Sequence, residues 1–493
     1  MSRPKTVHPA TVHPEPPLQK RHGMTSTAPL PQLAGLPGFP LPLTAFEEYL
    51  LRDGSPAAPL EFFFRIHLGS GLSRAVLATA TAAAACRHPL LLARILDDDK
   101  GPPVFSFRHP PTVDSLVVEV ADATCPQPLS TPASPLVRLM LSRPTVTGEQ
   151  PAGAIILAQF HHVATDGLGA VAFLEDLLAE IARLQAEPRQ PQSRLRRLEP
   201  SLLLTRGHYG LTLWRLLKML PDQAVGLAGI RQFFQNRPLQ LGAQSAQATD
   251  HPTPLTDATF SLTPSRTEAL RHAAAAADVS VNELAATAIF QAVAPLCRKM
   301  QSPQSATRPD VVRLCVPMNL RRASDRKMPA TNLCSMVFLD RTPSQIAAGP
   351  LSLLQSIHDE MALIRRHGLG LTFIFSLLLG RRLPGGIRGV VAGQPAAATV
   401  LFTNVGKVFR RRRTDAAQAL PLVTAVEGLA PLRRDTPLAI TATEHAGQLA
   451  FTFRYDHSQL TPADVAAAVR RFDEALENVA KAAASQSVSL RPT

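Results

Sequence analysis

The sequence predicts an α/β fold made of two subdomains of mixed strands and helices. Residues 154–158 form an apolar run of the kind found in buried strands, and the apolar residues between 168 and 184 recur every three or four positions, as on one helix face. The second half of the 493-residue chain shows the same mixture of strand-like and helical segments. A 45% apolar and 18% charged composition is typical of a globular protein, and the length favours two domains.

The first part of the chain divides into a tail and an N-terminal subdomain. Residues 1–38 are rich in proline and lack apolar periodicity, so we expect a flexible tail. In the N-terminal subdomain, residues 39–187, aromatic and β-branched runs predict strands and helical spacing predicts helices. We expect strands at 62–68, 116–120, 136–141 and 154–160, a helix at 72–85, and a helix from 168 onward.

Residues 188–250 differ in composition from both flanking regions. A basic linker that includes Arg194, Arg196 and Arg197 is followed by an apolar, basic helical segment with Trp214. Such a segment is compatible with a helix lying on a membrane surface. More often, such a segment packs against its own protein or covers a substrate tunnel.

Residues 251–484 form the predicted C-terminal subdomain, followed by a tail at 485–493. Ser280 with Glu283, and Thr461 with Asp464, have the spacing of helix N-terminal caps. We expect strands at 258–262, 310–318, 399–403 and 449–455, and helices at 264–276, 284–293, within 351–383, and after Thr461.

The net charge of +13 indicates which kinds of binding partner the protein favours. It favours an anionic partner, such as a nucleotide-bearing co-substrate, an acidic carrier protein or an acidic lipid surface, although an arginine-rich proteome gives the same excess. Nucleic acid is not expected, because one Trp and three Tyr offer few stacking surfaces.

The five cysteines are irregularly spaced and form no CxxC pair, which predicts reduced thiols in the cytoplasm. The first residues contain no secretory signal pattern, and the longest apolar run, 368–380, is too short to span a bilayer. We expect a cytoplasmic protein, either free or peripheral to the inner face of the membrane, and a monomer.

The most specific pattern is HHVATDG at residues 161–167, at the end of the 154–160 strand. A neutral imidazole removes a proton from a hydroxyl or amine near neutral pH, and we assign this role of general base to His162. We expect His161 to pack behind His162, Asp166 to fix the loop with Arg321 or Arg322 as its partner, and Gly167 to allow the tight turn into the helix.

Two other interpretations of the motif stay open at this point. In the first, the two histidines are hydrogen-bonded core or turn residues without a catalytic role. In the second, His162 and Asp166 bind a metal ion, although no third ligand follows at usable spacing. The sequence has no GxSxG elbow, no phosphate-binding glycine loop and no Cys–His signature, so direct transfer without a covalent enzyme intermediate is favoured.

The motif resembles the HHxxxDG signature of condensation domains, wax ester and diacylglycerol acyltransferases, polyketide-associated acyltransferases and alcohol acetyltransferases. Residues 41–44 (LPLT) and 87–91 (RHPLL) are similar to the N-terminal entry and RHPxL segments of these proteins. Residues 135–138 and 404–406 depart from the wax ester synthase pattern, since Val137 replaces a tryptophan and a proline is absent before Gly406.

This resemblance implies two chloramphenicol-acetyltransferase-like subdomains, with mixed sheets flanked by helices and an active-site tunnel between them. It also implies that His162 is the base, that Asp166 is structural, and that Thr403, Asn404 and Gly406 belong to the tunnel, with Thr403 or Asn404 donating to an oxyanion. Lys407, Arg410 and Arg411 are candidates for binding the phosphates of coenzyme A or an acidic carrier protein. A solvated basic loop is the alternative for these three residues.

The expected activity is acyl transfer from a coenzyme A or carrier-protein thioester to an alcohol or amine. A condensation-type enzyme that forms amides on carrier-bound substrates is the first alternative, and a catalytically inactive binding protein of the same fold is the second. We expect acyl-coenzyme A or acyl-pantetheine as co-substrate, with no permanently bound cofactor and no metal.

Overall fold

The structure is a computed structural model of the chain. It describes residues 39–55, 58–97, 101–107, 111–121, 124, 126–142, 153–185, 195–242, 254–298, 308–392, 398–409, 423–433 and 435–489. The predicted 1–38 tail lies outside these residues, as do the predicted boundaries at 187/188 and 250/251.

The elements of the N-terminal half follow the predicted order. They are β1 (Leu41–Pro42), α1 (Ala45–Asp53), β2 (Glu61–Leu68), α2 (Arg74–Ala85), α3 (Pro89–Leu92), β3 (Arg94–Leu96), β4 (Val104–Ser106), α4 (Val113–Leu116), β5 (Val117–Glu119), β6 (Val137–Ser142), β7 (Ala154–His161) and α5 (Gly167–Gln185).

A middle region and a longer C-terminal half follow. They comprise a 3₁₀ helix (Pro200–His208), α6 (Leu213–Gln235), β8 (Arg237–Pro238), β9 (Thr256–Ser261), α7 (Pro264–Ala276), α8 (Val281–Val293), a 3₁₀ turn (Ala294–Leu296), β10 (Asp310–Asn319), a 3₁₀ turn (Ala323–Lys327), β11 (Cys334–Arg341), α9 (Pro343–Ala347), α10 (Pro350–Arg366), a 3₁₀ turn (Leu369–Leu371), α11 (Thr372–Gly380), α12 (Gly386–Ala392), β12 (Val400–Lys407), β13 (Val423–Leu429), β14 (Leu438–His445), β15 (Gln448–Tyr455) and α13 (Pro462–Ser489).

Two mixed sheets form the framework, which confirms the predicted α/β class. The five-stranded sheet has the order β13-β2-β7-β6-β5, and the seven-stranded sheet has the order β11-β10-β12-β14-β15-β9, with β8 paired to β10. A small third sheet joins β1, β4 and β3. Helix α5 packs against α2 on the first sheet, and α8 packs against α13 on the second. Each large sheet therefore has its own apolar core.

Local sequence signals explain several helix boundaries. The predicted caps at Ser280 and Thr461 are present, with reciprocal hydrogen bonds to Glu283 and Asp464. Thr44 caps α1 in the same way, through bonds of 2.7 and 3.2 Å with Glu47. Helix α13 continues through residues 485–489, which the sequence assigns to the tail.

Strand β13 links the two halves of the chain. Strand β13 pairs antiparallel with β2, so a segment of the predicted C-terminal subdomain completes the N-terminal sheet. Arg454 on β15 donates to the carbonyl oxygens of Glu61 (3.1 Å) and Ala430 (3.0 Å). These contacts tie the two sheets together at the edge where the candidate site lies.

Helix α6 forms the predicted apolar, basic segment and lies on the outside of the protein. Trp214 is 67% exposed and Leu217 is 50% exposed, whereas Gly226 lies against Thr372 at the start of α11. Within the described ranges, no single helix has the length and apolar composition to cross a membrane, although two helix pairs with sharp bends reach that composition together.

Candidate active site

His162 stands in the turn directly after β7, where the chain leaves the N-terminal sheet. Its backbone N–H donates to the Leu60 carbonyl (2.8 Å), which extends the β2–β7 pairing by one bond. The imidazole ring packs edge-on against Phe62, with ring centroids 5.2 Å apart. The ring is half-buried and lines a cavity between the two sheets.

Asp166 is the most heavily bonded residue of the motif. Arg321 donates to both of its carboxylate oxygens, at 2.8 and 2.7 Å, and the backbone N–H groups of Gly169 and Leu333 donate at 2.9 Å each. Burial opposes ionisation, but these donors outweigh it and hold the pKa of Asp166 below its usual range. The carboxylate has no capacity left for proton transfer, so its role is to anchor the turn.

The two arginines proposed from the sequence as partners of Asp166 bind different carboxylates. Arg321 binds Asp166 and also donates to the Thr331 carbonyl (2.9 Å). Arg322 instead lies 3.3 Å from Asp325, and its backbone N–H donates to the same carboxylate. Arg322 is therefore not the partner of Asp166, because it belongs to the 3₁₀ turn that follows β10.

The two histidines differ in environment. Burial, together with the neighbouring His162, lowers the pKa of His161 to about 3, and His161 Nδ1 accepts a hydrogen bond from the Val163 N–H (3.2 Å). Burial also lowers the pKa of His162 from its ordinary value, against opposing effects from Asp166 and Asn332. His162 is therefore neutral near neutral pH, as a general base must be.

Asn332 is a site residue that the sequence reasoning missed. Its amide nitrogen donates to the carbonyl oxygens of His162 (2.8 Å) and Val163 (2.9 Å). Its Oδ1 and the Nδ1 of His162 are both buried. Residues 331–333, just before β11, thus hold the 161–167 turn, although they lie some 170 positions from it in sequence.

Strand β12 carries the three candidate tunnel residues of the second half; Thr403 and Asn404 line the cavity, whereas Gly406 is not among its lining residues. Asn404 donates to Asn282 (2.6 Å), and its Oδ1 accepts from the Gly406 N–H (2.7 Å) at a bulge where Gly406 has a φ of +74°. Thr403 lines the cavity, and its hydroxyl makes no hydrogen bond within the described part of the chain. The Asn404 side chain is therefore already engaged, whereas the Thr403 hydroxyl is available to a molecule in the cavity.

The three basic candidates lie away from the histidines or outside the described residues. Lys407 is half exposed at the end of β12, with its Nζ 3.7 Å from Glu444. Arg410 and Arg411 fall in the range that the structure does not describe. No group of three or more metal-binding side chains occurs in the described ranges.

The cavity between the sheets has a volume of about 150 Å³. His162 and Arg321 line one part of it, and most of the wall is apolar. The apolar lining includes Phe46, Leu50, Leu60, Phe62, Phe64, Pro317, Met318, Met336, Leu401, Val405 and Leu429.

Comparison with known proteins identifies the architecture. No family model and no curated relative matches the sequence. Solved structures do match: the epimerization domain from the third module of tyrocidine synthetase B has a TM-score of 0.60 at 14% identity, covering 90% of this chain and 96% of that one. The trichothecene 15-O-acetyltransferase from Fusarium sporotrichioides has a TM-score of 0.61 at 13% identity, covering 89% and 94%.

A third match is the starter condensation domain of rhizomide synthetase, in complex with C8-CoA and Leu-SNAC. Its TM-score is 0.58 at 16% identity, covering 89% of this chain and 94% of that one. The chain has the condensation-domain fold. The fold that the HHVATDG resemblance implies is therefore confirmed.

Within this condensation-domain fold, two thiols also line the cavity. Burial raises the pKa of Cys315 to about 12, and burial with the nearby Asp166 carboxylate raises the pKa of Cys334 well above its ordinary value. Both cysteines are therefore thiols near neutral pH, and a thiol is a poor nucleophile.

The glycine that the turn requires is Gly169, which the sequence reasoning also missed. Gly167 has no left-handed φ, and a Cβ there would meet Val405 at an ordinary 3.5 Å. The prediction that the turn requires a glycine at position 167 is therefore wrong. A Cβ on Gly169 would lie 2.1 Å from the Thr165 hydroxyl oxygen and 3.0 Å from the Thr331 carbonyl. Close approach of residues 331–333 to α5 explains this restriction.

Gly169→Ala is therefore expected to lower the free energy of unfolding by about 1–3 kcal/mol, as for other overpacked positions. Gly167→Ala is the matched control, and we expect it to change stability by less than about 0.5 kcal/mol. Urea unfolding followed by circular dichroism measures both. Equal stabilities for the two variants would contradict the close approach at Gly169.

Proposed function

We propose that this protein is an acyltransferase that moves an acyl group from a thioester to an alcohol or amine, with His162 as general base. The observation that carries the proposal is a neutral imidazole on the wall of a mostly apolar cavity, in a turn anchored by the Asp166–Arg321 pair. An imidazole held in this way can receive a proton without a change of the surrounding structure.

In the proposed reaction, His162 removes the proton from the acceptor hydroxyl or amine as its oxygen or nitrogen attacks the thioester carbonyl. The Thr403 hydroxyl donates to the oxygen that becomes negatively charged. Collapse of the tetrahedral intermediate breaks the carbon–sulfur bond, and the leaving thiolate takes the proton from His162. The protonated state of Cys315 and Cys334 supports direct transfer without an acyl-enzyme.

The proposed donor is acyl-coenzyme A or an acyl chain on a carrier protein, with no permanently bound cofactor. One structural neighbour was solved with C8-CoA, which supports an acyl-coenzyme A donor. Lys407, Arg410 and Arg411 remain the proposed contacts for the donor phosphates or for an acidic carrier. We further propose a cytoplasmic monomer, and the exposed Trp214 and Leu217 on α6 support a peripheral contact with a membrane.

The test is a screen of the purified full chain with acyl-coenzyme A donors from two to sixteen carbons against alcohols and amines. Free thiol is followed with and without acceptor, and mass spectrometry identifies the product. Acceptor-dependent thiol release with an ester or amide product supports the proposal. Product formation only from carrier-bound donors and amines favours the condensation-type alternative, and no turnover with either donor favours an inactive binding protein.

The pH dependence of the active donor–acceptor pair provides a second test. Burial places the pKa of His162 below its ordinary value of 6.5, so the base form dominates above that pH. We expect kcat/KM to be constant from about pH 6.5 to pH 8 and to fall about tenfold per pH unit at sufficiently acid pH. A midpoint well above pH 6.5 in steady-state assays would contradict the assignment of this base.

A further inference from the structure

A second polar group lines the cavity on the side of α1. Asp53, the last residue of α1, forms an ion pair with Arg433, and the Tyr49 hydroxyl interacts with the same carboxylate. All three residues line the cavity that His162 also lines. The proposed acyl-transfer chemistry uses none of them.

The sequence of α1 places this group at the end of one helix face. Phe46, Tyr49, Leu50 and Asp53 line the cavity, and their spacing of three, four and seven residues puts them in one stripe. The first three present apolar surface, and the stripe becomes charged only at its end. Asp53 is followed by Gly54, where a Cβ would lie 3.2 Å from the Leu60 backbone nitrogen.

Leu60 also connects this end of α1 to the base, because its carbonyl accepts the His162 N–H at 2.8 Å. Leu60, the polar group and His162 all line the same cavity, so one bound molecule can contact both ends.

Arg433 has hydrogen-bonding capacity to spare. Its guanidinium carries five N–H donors, and its one side-chain partner in the described part of the chain is Asp53. The Arg433 side chain is 26% exposed, whereas Asp53 is 5% exposed beneath it. The Thr436 hydroxyl, which also lines the cavity here, is already used, since it donates to the Ala398 carbonyl at 2.9 Å.

We propose that Arg433, held by Asp53 and Tyr49, binds an oxygen at the far end of a substrate whose apolar middle fills the cavity and whose reacting end lies at His162. The ligand is of the class of medium-length apolar molecules that end in a hydroxyl or carbonyl oxygen. This inference rests on the proposed acyl transfer for the identity of the reacting end only.

The charge of the group favours a neutral oxygen over a carboxylate. Arg433 and Asp53 cancel each other, so a carboxylate would enter an apolar cavity without a net positive partner. Burial raises the pKa of Asp53, although Arg433 and Tyr49 oppose that effect. A hydroxyl or carbonyl oxygen accepts a hydrogen bond from the guanidinium without adding charge.

The oxygen belongs either to the acyl chain of the donor or to the acceptor, and two ligand pairs distinguish these sources. The first pair is 6-hydroxyhexanoyl-CoA and hexanoyl-CoA, and the second is 1,6-hexanediol and hexan-1-ol. Binding to the full chain is measured by calorimetry with one substrate at a time, so no turnover is needed. We expect the oxygen-bearing member of one pair to bind about tenfold more tightly, the effect of one hydrogen bond to a charged group.

The test variant is Asp53→Leu/Arg433→Met, which removes both charges at similar volume and leaves no buried ion unpaired. We expect it to lose the tenfold preference while it binds the plain member as before. The matched control is Arg237→Met/Asp310→Leu, because Arg237 is also 26% exposed in an ion pair but lies outside the cavity. The control should keep the preference.

Equal affinities within both pairs, or a preference that survives in the test variant, would overturn the proposal. Absence of binding by all four ligands would also overturn it, since the cavity would then not accept this class of molecule. The thiol-release screen decides the acyl-transfer proposal separately, because its donors and acceptors need no distal oxygen.

Discussion

His162→Ala is expected to reduce kcat/KM by about 10²–10⁴-fold, the range that a positioned general base contributes. The loss should appear with every accepted donor, since proton removal is common to all of them. Stability should change little, because the His162 ring is half-buried and borders the cavity. Thiol-release kinetics measure the first effect, and thermal unfolding measures the second.

A histidine far from the cavity provides the matched control for this substitution. The His272 side chain on α7 is 78% exposed, so His272→Ala should leave both rate and stability unchanged. Retention of more than a tenth of the wild-type rate in His162→Ala would remove His162 from the mechanism. Loss of activity together with a large drop in the unfolding temperature would instead assign it a structural role.

Elements with strong local patterns could be predicted from the sequence. Helix α7 begins and ends where its proline and alanine-rich spacing indicate, and Ser280 caps α8 as its spacing with Glu283 predicts. Strand β13 gave no comparable signal. Its partner β2 lies more than 350 residues earlier, and a sheet that closes over that separation depends on tertiary contacts that no short window contains.

The candidate site likewise contains residues that a local motif identifies and residues that only the fold brings together. His162 and Asp166 lie within one turn, so one motif names them both. Arg321 and Arg322 are neighbours in sequence, and only the path of the chain after β10 decides which one reaches Asp166. Asn332 and Arg433 come from segments without a local pattern, and their importance follows only from what the fold places beside them.

The Asp166–Arg321 pair is expected to stabilise both the fold and the turn at residues 161–167. Arg321→Leu leaves the Asp166 carboxylate buried with two backbone donors, and we expect a loss of about 3–5 kcal/mol in the free energy of unfolding. Activity should fall with it, because the same carboxylate holds the turn that carries His162. Urea unfolding at pH 7 and thiol-release kinetics measure the two effects.

The pH dependence separates this electrostatic contribution from simple loss of packing. The pKa of Asp166 is lower in the folded protein than in the unfolded chain, where it is about 3.9. Its contribution is therefore complete above about pH 4 and is lost as the pH falls through the folded-state pKa. As the pH falls from 7 to 2.5, the free energy of unfolding of the wild type should therefore decrease more than that of Asp166→Leu/Arg321→Leu. The double variant should also be more stable than Arg321→Leu at pH 7, since it buries no unpaired carboxylate. The opposite order would show that the Gly169 and Leu333 N–H groups alone compensate the burial of the Asp166 carboxylate.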